Sequence, residues 1–208
     1  MEFVTFFTVR AAFPLLLLTC LLSAQKGAPP QWDLTFSDEF SGTELDLAKW
    51  VPHEPANSIP ASVQVRAGQL YIADGTVTTF GIFAQTYGRF EIRCRVTGLH
   101  PGARLLPVSL GLPAIDIFAV DAAAPAKIYF ANHWGTEQTE RSFGDSFPAP
   151  DLSAAFHVIS IEWNRDKITW FLDGKARFES VDGVPRQPMF LALSGSLDVD
   201  YVRVYQRR

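Results

Sequence analysis

Residues 111–120 read Gly111-Leu112-Pro113-Ala114-Ile115-Asp116-Ile117-Phe118-Ala119-Val120. A single carboxylate, Asp116, stands between isoleucines, which is the period-two pattern of a half-buried strand. Alternate side chains share a face, so Ala114 and Asp116 point the same way. One extra residue at 117–118, in a β-bulge, returns position 119 to that face. The stretch therefore predicts a strand that presents positions 114 and 116 together, joined by 119 if a bulge sits at 117–118, with methyl groups at two of the three.

Working outward, the pattern of short strands and tight turns continues on both sides. Trp32, Leu34 and Phe36 alternate, and so do Phe90, Ile92, Cys94 and Val96 against Arg89, Glu91, Arg93 and Arg95. The arginines are read as a solvent face paired with acids. Gln69–Ala73 and Thr76–Phe83 flank Asp74-Gly75, a dipeptide that predicts a hairpin turn between them. Further strands are expected at Lys127–Gly135, Phe156–Trp163, Ile168–Leu172, Pro188–Leu193 and Asp198–Tyr205, the last two joined by Ser194–Leu197. No helix-length periodicity intervenes. Strands at this density, in a chain of 208 residues with 14 glycines and 14 prolines, predict one all-β sandwich.

The charge balance narrows the partners. A net charge of −4, with charged residues at only 19%, gives no basic face for nucleic acid. At the N-terminus Arg10 precedes the apolar run Ala11–Leu22, too short to span a bilayer, and Leu22-Ser23-Ala24 closes it with small residues. Residues 1–24 are expected to be a cleaved signal peptide and residues 25–31 a linker. The folded domain is expected over residues 32–206. The mature protein is then secreted or periplasmic and has no membrane attachment after cleavage. Of the two cysteines, only Cys94 remains in it, so no internal disulfide forms.

Several of these stretches together resemble glycoside hydrolase family 16, the laminarinases, lichenases and related β-glucanases and galactanases. The resemblance rests on Ser37-Asp38-Glu39-Phe40 with Leu45-Asp46-x-x-Lys49-Trp50, on Tyr87-Gly88-Arg89-Phe90-Glu91-x-Arg93, on His133-Trp134-Gly135 and on the 114–119 strand. It covers Trp32 to Gln206 and implies a concanavalin/lectin-like β-jelly-roll sandwich. In the family the strand reads Glu-x-Asp-x-x-Glu: nucleophile, helper aspartate, acid/base. Here the two glutamate positions are Ala114 and Ala119, and Asp116 is the one catalytic member left. The family's tryptophan-rich strand is replaced by Ala103-Arg104-Leu105-Leu106-Pro107. Its cleft-lining insertion is reduced to Ser194–Leu197.

The resemblance implies sugar contacts from His133 and Trp134. His53, Glu54 and Asn57 are read as a solvated loop, with ligand contact as the alternative. It also implies a structural calcium at Asp200, no cofactor being required for the chemistry. A retaining glycosidase needs two carboxylates about 5–5.5 Å apart, which Asp116 alone does not supply. Asp121 is the nearest second carboxylate in sequence, on the order of 10 Å from Asp116 along the strand. The expectation is a catalytically degenerate domain that binds a β-glucan or galactan. Two alternatives stay open: a structural or protein-interaction sandwich without a sugar site, and an active O-glycosyl hydrolase using Asp116 and Asp121.

Overall fold

The computed structural model describes residues 1, 31–53, 62–136 and 138–208. The expected signal peptide and all but Gln31 of the linker lie outside the described residues, as do Glu54 and Asn57. The described chain forms thirteen strands and no helix. They are β1 (Trp32–Asp38), β2 (Val51–Pro52), β3 (Val63–Arg66), β4 (Gln69–Thr78), β5 (Gly88–Val96), β6 (Gly102–Pro107) and β7 (Ala114–Ala119). After these come β8 (Lys127–Trp134), β9 (Arg141–Pro148), β10 (His157–Trp163), β11 (Ile168–Leu172), β12 (Lys175–Ser180) and β13 (Met189–Arg207). The all-β jelly-roll expectation holds.

The ladder runs β12-β11-β10-β5-β13-β6-β7-β8-β9, with β1 and β4 also pairing β13. The sheet folds back so that its two ends meet. Phe143 of β9 stacks on Phe178 of β12 with ring centroids 5.2 Å apart. Two layers result, with Trp50, Trp163, Trp170, Phe90, Phe118 and Phe130 fully buried between them. The one layer contains β5, β10, β11 and β12, and the other β6 to β9.

Strand β13 joins the layers, and here the structure corrects the expectation of two strands at 188–193 and 198–205. The chain stays paired for 19 residues. Its first half pairs β6 and its second half β5 and β1, and against β4 the register shifts between Gly195 and Leu197. The bend depends on glycine. Gly195 has φ +81°, and a Cβ there would sit 2.1 Å from the His100 carbonyl oxygen.

The hairpin at Asp74-Gly75 is likewise corrected. Residues 69–78 form one strand that runs antiparallel to β13 across the same bend, Gly75 opposite Gly195. Asp74 adopts φ 58° to kink without reversing. An Asp-Gly pair supplies the same left-handed backbone to a bulge as to a hairpin turn. The partner strand decides between them.

The family-like opening motif is structural. Asp38 accepts the Trp50 Nε1–H at 2.8 Å and the Phe40 amide at 2.9 Å, closing the first loop over the core. The β5 arginines pair with acids as read: Arg89 with Glu91 and Glu162, Arg93 with Asp200, Arg95 with Asp198. Cys94 faces the core, and burial pushes its thiol up to about 12, so it is unreactive in the folded state.

Candidate functional site

Strand β7 carries the expected bulge. Asp116 pairs Ala131 and Ala119 pairs Tyr129, so three residues of β7 match two of β8. Ile117 and Phe118 turn into the core, at 0% and 1% exposure. Ala114, Asp116 and Ala119 therefore share the opposite, groove-side face. From within the core, Trp170 Nε1 donates to the Asp116 carbonyl oxygen at 2.8 Å, fixing the backbone just before the bulge.

The groove floor is laid down by register. One row across the sheet reads Thr78, Ala192, Arg104, Asp116, Ala131, Gly144. A second reads Thr76, Ser194, Gly102, Ala119, Tyr129, Ser146. Six strands spaced by ~4.8 Å give a floor about 24 Å across. Most of these side chains are small, so the surface is recessed between its polar groups. A recess of 220 Å³ lies beside Arg104, Asp116, Ala119 and Ser194. A larger one, 580 Å³, continues past Ala119 to Tyr129, Ser146, Lys127 and Asp121. On the other side a 340 Å³ recess adjoins Ala114, Arg104, His133 and Glu140.

Charges alternate along this floor. Arg104 Nε donates to Asp116 Oδ1 at 2.5 Å. His133 Nε2 lies 2.9 Å from Asp116 Oδ2, and its Nδ1 3.1 Å from Glu140 Oε1. Burial pushes the Asp116 carboxyl up, but hydrogen bonds from His133 and Arg104, with their charges, outweigh it and hold the group below the usual range. The hydrogen bond to Asp116 raises His133 above its ordinary value against the opposing effect of burial. With a carboxylate on each ring nitrogen, the imidazolium fits this setting, both N–H groups donating. A histidine so held favours its charged form and serves Asp116 as a hydrogen-bond donor. Burial and the charges of Asp116 and Asp145 raise the Tyr129 phenol, which stays a neutral donor.

The titration signs give a test. Asp116, depressed, contributes stability above its unfolded value, lost as pH falls through the folded one. His133, elevated, contributes stability below its unfolded value of about 6.5, lost as pH rises through the folded one. The wild-type Tm is expected to fall as pH rises from 6 to 8, and His133→Gln to lack that component. Identical Tm–pH curves for the two proteins would rule the coupling out.

The site residues expected from sequence divide. Asp116 and His133 come together. Trp134 does not join them: it alternates with His133 along β8 and faces the other side, its ring against Gly183. A Cβ at Gly183 would lie 2.0 Å from Trp134 Cδ2. Asp121 is exposed, lines the neighbouring recess and accepts the Ala123 amide at 2.9 Å. His53 borders a separate recess with Asp74, Thr76 and Ser194. Asp200 is held by Arg93, and a guanidinium there opposes a divalent cation. Among the described residues no three His, Cys, Asp or Glu side chains converge as a metal site. The Arg93 guanidinium thus already engages the one carboxylate that the calcium expectation relied on. Arg104, Glu140 and Tyr129 are site residues that the sequence reading missed.

Comparison with known proteins bears on the same stretch. The model of "Glycosyl hydrolases family 16" matches residues 74–197, spanning β7 and most of the groove floor. The beta-glucanase of Rhodothermus marinus is 30% identical over 213 residues, covering 79% of this chain and 72% of its own. Glucan endo-1,3-beta-glucosidase A1 of Niallia circulans is 24% identical over 85% of this chain, which spans 38% of that protein's length. The solved laminarinase of Rhodothermus marinus superposes with a TM-score of 0.75 at 26% identity, over 86% of this chain and 99% of that one. With the family model covering more than half the chain and the fold shared over 86% of it, the chain belongs to glycosyl hydrolase family 16.

Proposed function

We propose that this is a non-hydrolytic family 16 domain that binds a β-glucan or galactan chain along its groove. One observation carries the reading: Ala114 and Ala119 flank Asp116 on a floor that otherwise keeps its six-strand width. Double displacement needs a carboxylate to attack and another to protonate the leaving oxygen. Asp116 is engaged on both oxygens, by Arg104 Nε and His133 Nε2, and a single carboxylate does not serve both roles. Asp121 occupies another recess, bound to its own turn. The named activities of the relatives, a beta-glucanase among them, support a β-glucan as the polymer held. Export follows from the leader expected at residues 1–24, checked by the intact mass of the exported protein.

Affinity electrophoresis in gels containing laminarin, mixed-linkage glucan or galactan tests the reading, paired with a reducing-sugar assay. Retardation without sugar release is the expected result. Turnover abolished by Asp116→Asn or Asp121→Asn would restore the hydrolase. Absence of binding to all three polymers would leave the sandwich as a structural or protein-interaction domain.

A further inference from the structure

Arg104, on β6, stands directly opposite Asp116. It rises from the middle of the floor, between the recess at Ala114 and the recess at Ala119, and lines both. Its Nε is fixed by Asp116, which sets the plane of the guanidinium. Its two Nη groups make no hydrogen bond among the described residues, and half of the side chain is exposed. A planar fork with one edge anchored and the other edge free is prearranged for two parallel N–H···O bonds. A neutral sugar hydroxyl accepts through one oxygen, whereas a carboxylate or a sulfate offers two oxygens that match the fork.

The other charges on the floor leave this edge available. Glu140 is turned to His133, and Asp116 is shared between His133 and Arg104 Nε. In the large recess Lys127 is exposed and has no ion-pair partner among the described residues, while Asp121 turns one oxygen to the Ala123 amide. Two cationic groups thus face the groove with donors free, on either side of Ala119.

We propose that the polysaccharide in this groove carries acidic substituents, and that Arg104 grips one of them bidentately. The proposal rests on the reading that a glycan lies in the groove, and it names the class of that glycan. A carboxylate on a uronic acid and a sulfate ester present the same chemistry to the fork.

Three polymers with one backbone separate the possibilities: laminarin, laminarin oxidised to the uronate at C6, and laminarin sulfate. The acidic forms are expected to bind at least tenfold more tightly than laminarin at low salt, the preference shrinking as salt is raised. Whichever acidic form binds more tightly identifies the substituent. Arg104→Gln is expected to remove most of the preference, lowering the affinity for the acidic polymers severalfold more than the affinity for neutral laminarin. Arg104→Lys keeps the charge and loses the fork, and is expected to fall between. If Arg104→Gln does not fold, the loss in Arg104→Lys is the deciding measurement.

Equal binding of all three polymers, unchanged by either variant, overturns the proposal and leaves the binding reading intact. A preference that survives both variants also overturns it, because the charge is then read elsewhere. Binding of none of the three overturns the proposal, and the binding reading is then decided by the mixed-linkage glucan and galactan gels.

Discussion

Replacing Trp170 with alanine is expected to destabilise the protein by about 3–5 kcal/mol, the range for emptying a buried tryptophan site. For a domain of this size that corresponds to a fall in Tm on the order of 10 °C. Trp170 is fully buried, packs its ring 5.1 Å from Phe178 and 6.3 Å from Phe130, and so fills the space where the folded-back ends of the sheet meet. Its Nε1–H also holds the Asp116 carbonyl, so the variant loses a hydrogen bond at the bulge as well as volume. Trp170→Phe separates the two effects. It keeps most of the ring and leaves the carbonyl without that donor, an expected cost of about 1–3 kcal/mol. Chemical denaturation at several pH values measures both. If Trp170→Phe is indistinguishable from wild type, the indole hydrogen bond contributes nothing and the bulge is held by its strand neighbours alone.

The bulge shows what was legible in the sequence. Isoleucines at 115 and 117 around Asp116 set the alternation, while the extra residue before Ala119 follows from the family's spacing alone; the register shift against β8 falls there. Such local features depend on side-chain period, which a sequence displays directly. Asp74-Gly75 and Ser194–Leu197 were misread for the opposite reason. Each looks like a turn, because glycine and a left-handed aspartate permit one. The alternative, a kink in a strand that stays paired, is chosen by the partner strand 120 residues away.

The site follows the same division. Asp116 and His133 were visible as groove-side residues. Trp134 was assigned by motif, although alternation along β8 puts it on the side away from His133. Arg104 carried a signal that went unused: it is the one charged residue in β6, directly opposite Asp116 once the strands are paired. Glu140 carried none, since it reaches His133 from the loop that follows β8.

Restoring both glutamates, Ala114→Glu with Ala119→Glu, is expected to create detectable hydrolysis of laminarin with retention of anomeric configuration. Each single variant, like the wild type, is expected to show none. Loss of either partner in such a unit costs several orders of magnitude, and the losses are not additive, so a single restoration recovers almost nothing. The geometry favours the nucleophile position. Ala114 opens on a 340 Å³ recess with room for a longer side chain, beside Arg104 and His133, whose charges would keep an introduced carboxylate ionised. Position 119 faces Tyr129 and the larger recess, where a carboxyl is less confined and retains a proton more readily. The two backbone positions lie opposite residues four apart on β8, roughly 13 Å. Glutamates leaning toward each other over Asp116 are expected to bring their carboxyls toward the separation of about 5–5.5 Å that retention requires. Arg104 stands between them and will draw both side chains toward itself, so the restored rate is expected to be small. Adding Arg104→Gln to the double variant is expected to raise it. Product stereochemistry by NMR and reducing-sugar release decide the matter. A double variant that binds laminarin and remains inert, with or without Arg104, would place the defect in the shape of the groove. A double variant that no longer binds would show that the small residues at 114 and 119 are themselves what lets the polymer lie on the floor.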